Sequence, residues 1–115
     1  MFRFESLDIW NLAIEYCDKV FDIVDDFPQK AQYNLGEQLR GSSLSISNNI
    51  AEGSGSSSKQ EFRNFLNYSI RSTYETVSGL FIVKRRKYIS EQKFTEFYNE
   101  GELLVKKIRT FRESL

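Results

Sequence analysis

The chain has 115 residues, of which 28% are charged and 15% aromatic, and its formal net charge at pH 7 is zero. This length suits one domain, and the neutral balance argues against a surface built throughout for polyanions. The absence of histidine excludes the commonest general base and the imidazole metal ligands. Cys17 is the single cysteine, and no apolar run approaches the ~20 residues of a membrane span. We therefore expect one cytoplasmic domain with no membrane segment, cofactor or metal.

The first predicted helix extends from about residue 6 to residue 26. Ser6 is placed to cap its start, and Pro28 disfavours helical geometry at Phe27. Its apolar residues form two stripes: Trp10, Ile14, Cys17, Phe21 and Val24, and then Leu12, Tyr16, Val20, Ile23 and Phe27. Two stripes are wider than one neighbour requires, so we expect the second stripe to contact another copy of the chain.

The second predicted helix, about residues 30–52, places polar side chains beside its apolar stripe. The stripe recurs at helical spacings of three and four: Leu35, Leu39, Ser42, Ile46 and Ile50. Burying polar groups is costly unless each of them finds a partner. We therefore expect a polar network that is shared with the third helix: Arg40, Ser45, Asn49, Glu52, Ser72 and Glu75.

Two interpretations of this network remain open. In the structural one, Arg40 forms a buried ion pair with Glu75, and Asn49 satisfies the remaining polar groups. In the functional one, Arg40, Glu52 and Glu75 line a small-molecule or catalytic pocket, with an acid placed for proton transfer. The sequence lacks histidine, a metal motif and a glycine-lined cavity, so we favour the structural network and expect no catalytic residue.

The third and fourth predicted helices cover about residues 58–87 and 90–115. Ser58 and Glu61 match a capping box, and Ser90 is placed to cap the last helix. The stripe of the third helix has hydroxyl residues in its middle: Ser69, Thr73 and Thr76. This band falls where an antiparallel second helix would present its own polar stretch. Because the connections are short, we predict an all-α, antiparallel up-down-up-down four-helix bundle.

Charge is distributed unevenly along the chain. Residues 1–30 carry seven acids and three bases, whereas residues 59–89 carry seven bases and two acids. Four of these bases are consecutive and form a candidate nucleic-acid-binding site: Lys84, Arg85, Arg86 and Lys87. A second group near the C-terminus would lie at the opposite end of the bundle: Lys106, Lys107, Arg109 and Arg112. The alternative is that bases near a helix C-terminus are merely solvated and complement the helix dipole.

Three segments are distinctive in combination: Gln38-Leu39-Arg40, Asn49-Ile50-Ala51-Glu52-Gly53 and Glu61-Phe62. With them the chain resembles the bacterial 23S rRNA intervening-sequence proteins, a family of small four-helix bundles. The resemblance implies a ring-shaped homopentamer and genes that lie within insertions of ribosomal RNA genes. It also implies kinship with a branch that binds nucleic acid and a reverse transcriptase.

These observations together predict a non-enzymatic, homo-oligomeric helical scaffold that contacts RNA or a nucleic-acid enzyme. The alternatives are the ligand-binding or catalytic bundle described above and a protein-docking subunit whose acidic first helix binds a basic partner.

Overall fold

Four long helices make up most of the backbone, and there is no β-strand. The computed structural model describes all of residues 1–115. A short 3₁₀ turn, Arg3–Ser6, precedes the first helix. The helices are α1 (Asp8–Asp25), α2 (Glu37–Ser54), α3 (Lys59–Arg85) and α4 (Glu91–Glu113). Between α1 and α2 lie one helical turn, Gln29–Ala31, and a π-helical segment, Gln32–Gly36.

The helices pack around one elongated core. Helix α2 lies against α1 and α3, and α4 lies against α3 and α1, so every helix has two neighbours. The core includes aliphatic side chains that are completely shielded from solvent: Val20, Ile46, Ile50, Leu66, Leu80 and Ile108. Burial of each such side chain stabilises the fold by roughly 1.5–3 kcal/mol. The bundle measures 43 × 23 × 21 Å.

Two of the three serines that were predicted to cap helices do so, and one does not. The Ser58 and Ser90 hydroxyls accept hydrogen bonds from the backbone N–H groups of Glu61 and Lys93, at 3.1 and 3.0 Å. The prediction that Ser6 caps α1 was wrong. Leu7 occupies the N-cap position, and the Ser6 hydroxyl instead donates to the carbonyl of Arg3 at 2.9 Å, because these residues form their own turn.

The second apolar stripe of α1 does not need another copy of the chain to bury it. Its last four members are all buried within a single chain: Tyr16, Val20, Ile23 and Phe27. The expectation that this stripe would be exposed in a monomer was therefore wrong. The reason is geometric: α1 lies between α2 and α4, so its wide apolar face meets two helices.

Candidate functional site

The contact between α2 and α3 is a seam of small hydroxyl side chains. The Thr76 hydroxyl donates a hydrogen bond to the Ser42 hydroxyl oxygen at 2.8 Å. The Ser69 hydroxyl donates to the carbonyl of Ile46 at the same distance. All the buried hydroxyls of this seam have hydrogen-bond partners; the one buried side-chain oxygen without a partner belongs to Ser56, outside the seam. Because these groups are satisfied by each other and by backbone, the seam holds helices together and offers no free polar atom to a ligand.

Three members of the predicted polar network meet at the edge of this seam. Asn49 donates to the carbonyl and hydroxyl oxygens of Ser45, at 2.8 and 3.0 Å. The Ser72 hydroxyl donates to the Ser45 hydroxyl at 3.1 Å and thereby links α3 to α2. This part of the network is half-buried and uncharged.

Arg40 lies elsewhere and does not pair with Glu75, so the predicted ion pair was wrong. Its guanidinium donates to the Gln32 side-chain oxygen at 2.6 Å and lies 4.0 Å from an Asp25 carboxylate oxygen. Glu75 and Glu52 are both exposed on the surface. Solvation of these carboxylates removes the need for a buried partner. The guanidinium, with 29% of its side chain exposed, meets the neutral Gln32 amide closely and the Asp25 carboxylate at 4.0 Å.

Gln32 is the residue that sequence reasoning missed. Its amide nitrogen donates to the carbonyls of Val24 and Phe27, at 2.8 and 3.0 Å, and so ties this segment to the end of α1 and the turn that follows it. The Val24 carbonyl also accepts from the Phe27 N–H at 2.9 Å. Arg40 therefore holds the amide that joins α1 to α2. Residues eight apart lie roughly 12 Å apart along a regular helix, so their spacing gave no signal of a contact between Gln32 and Arg40.

The alternative pocket of Arg40, Glu52 and Glu75 has no support in this geometry. Arg40 and Glu52 are twelve residues apart on α2, which is roughly 18 Å along the helix axis. Arg40 contacts the end of α1, whereas Glu52 lies near the opposite end of α2. These groups are too far apart to act on one ligand.

The consecutive bases lie at the exposed turn between α3 and α4. Lys84 is 3.9 Å from the Glu91 carboxylate and 4.8 Å from the centre of the Phe94 ring. Arg85, Arg86 and Lys87 are exposed, and none of them forms an ion pair. The result is three adjacent positive charges without acidic partners.

Lys87 adopts a left-handed backbone conformation, with φ of 63°, that ends α3. The N–H of Tyr88 reaches back to the carbonyl of Val83 at 3.0 Å, as in a Schellman motif. Glycine is the usual residue at this position, so the chain keeps a lysine where its backbone conformation is disfavoured. The turn holds Lys87 in place beside Arg85 and Arg86.

The second group of bases lies at the other end of the α3–α4 pair. Arg112 donates to the Asn67 side-chain oxygen at 2.6 Å, and Arg109 donates to the Tyr74 hydroxyl at 3.1 Å. Lys106 and Lys107 are exposed. These four bases are also without ion pairs, and their hydrogen-bond partners are neutral.

Two buried titratable groups lie in the core beside α4 and α2. Burial, assisted by the charge of Glu100, raises the pKa of Tyr16, whose hydroxyl donates to the carbonyl of Phe97 at 3.1 Å. Burial also raises the pKa of the Cys17 thiol, against the opposing effect of its contact with Ser43. Both groups therefore keep their protons to a higher pH in the folded protein than in the unfolded chain.

We expect alkaline pH to destabilise the protein through these two groups. Well below pH 9 both groups are protonated in the folded and in the unfolded chain, so their ionisation does not reduce the free energy of unfolding. As pH rises past the ordinary values of 9.0 for Cys17 and 10.0 for Tyr16, the unfolded chain releases protons that the folded chain retains, and this stability is lost. Urea melts of wild type and Tyr16→Phe at pH 8 to 11 test this. A variant whose stability falls as steeply as that of wild type would contradict the role of Tyr16.

The structure contains no membrane-spanning helix and no cluster of metal-ligating side chains. None of its helices combines the length and apolarity needed to cross a bilayer. No three side chains of the Cys, Asp and Glu types lie close enough together to share a metal ion.

The fold and the polar seam define an all-helical protein in which four helices surround one core. The model for the 23S rRNA-intervening sequence protein family matches residues 5–110. The chain therefore belongs to this family, as its motifs indicated. No curated protein sequence matches it.

A solved structure has the same fold. It is the 1.70 Å crystal structure of a protein of unknown function from the S23 ribosomal protein family of Bacteroides thetaiotaomicron VPI-5482. The two chains are 20% identical and superpose with a TM-score of 0.84, over 90% of this chain and 97% of the other. At this identity the similarity shows the fold alone.

Proposed function

We propose that the protein is a non-enzymatic, homo-oligomeric scaffold that acts in the cytoplasm and contacts RNA or an enzyme of nucleic acids. The observation that carries the proposal is the uncompensated charge of Arg85, Arg86 and Lys87 on an exposed turn. Adjacent bases without acidic partners are available to phosphates, and phosphate contacts supply most non-specific affinity for nucleic acid.

The scaffold is an up-down-up-down bundle in this proposal. Contacts between α2 and α3 pair Ile46 with Ser69 and Ser42 with Thr76, so residue numbers fall along one helix as they rise along the other. Lys84 meets Glu91 at the turn, and Asn67 meets Arg112 at the far end of the same pair. Antiparallel neighbours joined by short loops are the expected arrangement of such bundles.

Self-association is supported by apolar side chains that the single chain leaves exposed. Leu44, Tyr68, Ile82 and Leu103 are each between 43% and 49% exposed. A second copy of the chain would shield such side chains from water. The ring-shaped homopentamer is the assembly that the family resemblance implies.

The test of RNA contact is the salt dependence of binding to a labelled single-stranded RNA. We expect affinity to fall steeply with salt, and the combined Arg85→Gln, Arg86→Gln and Lys87→Gln variant to bind about tenfold more weakly with a shallower salt slope. The matched control changes three exposed bases outside both basic groups: Lys30→Gln, Lys59→Gln and Arg71→Gln. Equal losses in both variants would reject the turn as the contact site, and the absence of RNA binding at low salt would reject the proposal.

A further inference from the structure

Charge is distributed diagonally across the bundle. Helix α1 carries five acids and one base, and that base, Lys19, is paired with Glu100 of α4 at 3.0 Å. Helix α3 carries five bases and two acids. These two helices are not neighbours, because each of them lies between α2 and α4. One side of the bundle is therefore acidic and the opposite side basic, although the chain as a whole is neutral.

The acids of α1 form one stripe on its solvent side. They recur at spacings of seven, three, four and three, which place them along one face of the helix: Asp8, Glu15, Asp18, Asp22 and Asp25. All five are exposed, and only Asp25 lies within 4.0 Å of a base, Arg40. Ile14 lies beside them and is 38% exposed. We call these five acids and Ile14 the acidic stripe.

The solvent side of α3 combines bases with aromatic rings. Five exposed residues recur there at spacings of three and four, and we call them the basic stripe: Arg71, Tyr74, Ser78, Phe81 and Arg85. Neither arginine forms an ion pair, and Glu75 is the one acid in this span of α3. The adjoining surface of α4 adds no net charge, since two acids accompany two bases: Glu102, Glu113, Lys106 and Arg109. Tyr74 and Phe81 are 57% and 44% exposed, so this positive surface also carries apolar area.

This distribution of charge selects one kind of contact between copies of the chain. In an isologous contact both copies use the same surface, so acids would face acids or bases would face bases. Like charges placed opposite each other across an interface oppose association. A heterologous contact instead places the acidic stripe of one copy against the basic stripe of the next. A ring of more than two copies requires heterologous contacts, since an isologous contact by itself joins only two copies.

We propose that the acidic stripe of one copy docks on the basic stripe of a second copy, an inference that rests on the self-association proposed above. The stripes are roughly 26 and 21 Å long at ~1.5 Å per residue, so they can lie along each other. Carboxylates meet Arg71 and Arg85, and the contact covers the exposed rings of the basic stripe. The Tyr74 hydroxyl accepts a hydrogen bond from Arg109, so its own O–H can donate to a carboxylate. The remaining bases of the turn, Arg86 and Lys87, lie beyond the end of α3 and stay available to RNA.

The test reverses the charge of each stripe and measures native mass by light scattering, after nuclease treatment so that RNA does not join copies. We expect the pair Asp18→Lys and Asp22→Lys to raise the dissociation constant between copies at least about tenfold, because bases then face bases. The pair Arg71→Glu and Arg85→Glu should do the same, because acids then face acids. A chain with all four substitutions should assemble again, since its stripes have exchanged signs and attract each other.

The matched control is the pair Glu37→Lys and Glu52→Lys. Both side chains are exposed on α2 and lie outside the two stripes, so the pair changes the net charge as much as Asp18→Lys and Asp22→Lys do. We expect the control to keep the native mass of wild type. High salt should reduce the difference between wild type and each single-stripe variant, because salt screens exposed charges.

The outcomes separate this inference from the function on which it rests. An oligomer whose mass is unchanged by reversal of either stripe would overturn this interface and leave self-association intact. A chain with all four substitutions that stays as dissociated as the single-stripe variants would overturn the pairing of the stripes. Its assembly would support the pairing and exclude misfolding as the cause of dissociation, since two further substitutions do not restore a chain that cannot fold. A wild type that is monomeric at micromolar concentration would overturn both proposals.

Discussion

Replacement of Gly53 by alanine is expected to destabilise the protein by about 1–3 kcal/mol, the usual cost of overpacking a tight contact. A methyl group at this position would lie 2.7 Å from a ring carbon of Phe62 and 2.8 Å from the Cβ of Phe65. Both neighbours belong to α3, and Phe62 is buried, so neither moves away without disturbing the core. The loss should appear as a lower urea midpoint with an unchanged slope.

Gly41→Ala is the matched control for Gly53→Ala, because both glycines lie within α2. Gly41 is exposed, and a methyl group there has nothing within 4 Å. Alanine should therefore stabilise the helix by about 0.5–1 kcal/mol, since glycine loses more backbone freedom on folding. If Gly53→Ala were as stable as Gly41→Ala, the close packing of α2 on α3 at this point would be contradicted.

Replacement of Gln32 by alanine is expected to cost about 2–3 kcal/mol. The variant loses the hydrogen bonds to the carbonyls of Val24 and Phe27 and the charge-assisted bond from Arg40. A charge-assisted bond alone contributes about 1.5–3 kcal/mol. Part of the lost free energy is recovered, because the site is only half-buried and water replaces some of the hydrogen-bond partners. Chemical denaturation of Gln32→Ala, Arg40→Met and the double variant gives the coupling between the two side chains.

Glu75→Gln distinguishes the observed partner of Arg40 from the one that the sequence suggested. Glu75 is exposed and forms no ion pair, so its replacement should change stability by less than about 0.5 kcal/mol. The double variant of Glu75→Gln and Arg40→Met should show no coupling free energy between these two side chains. A coupling between Arg40 and Glu75 larger than that between Arg40 and Gln32 would contradict the geometry described here.

The parts of the structure that sequence reasoning described well depend on local rules or matching periods. Ser58 and Ser90 cap their helices because a hydroxyl beside the first free N–H groups finds them without help from the rest of the fold. The hydroxyl band of Ser69 and Thr76 meets the polar stretch of α2 because helical spacing places both on facing sides. These features follow from positions along the chain.

The partner of Arg40 did not follow from the chain because it depends on an irregular segment. The π-helical turn Gln32–Gly36 breaks the regular spacing that the sequence pattern assumes, and it places Gln32 against the end of α1. Periodicity contains no sign of a π-helical turn. The expectation that Arg40 pairs with an acid of the third helix then led to Glu75. That carboxylate is exposed to solvent and needs no partner.

The exposure of three aromatic side chains on α3 and α4 was also beyond prediction from the sequence. Helical spacing shows which residues form the main apolar stripe, but it does not show how deeply residues beside the stripe are covered. Tyr74, Phe81 and Tyr98 lie beside the stripes of their helices, and their exposure depends on how closely α3 and α4 approach at Gly101. That distance is a property of the packed bundle.

The most direct test of a self-assembling scaffold that contacts RNA uses protein purified at low salt. Its native mass and ultraviolet absorbance are measured before and after nuclease treatment. We expect a species several times heavier than the 13.5 kDa chain, with excess absorbance at 260 nm that nuclease removes while the oligomer persists. A single 13.5 kDa species without bound polynucleotide, before and after treatment, would contradict a self-assembling scaffold that contacts RNA.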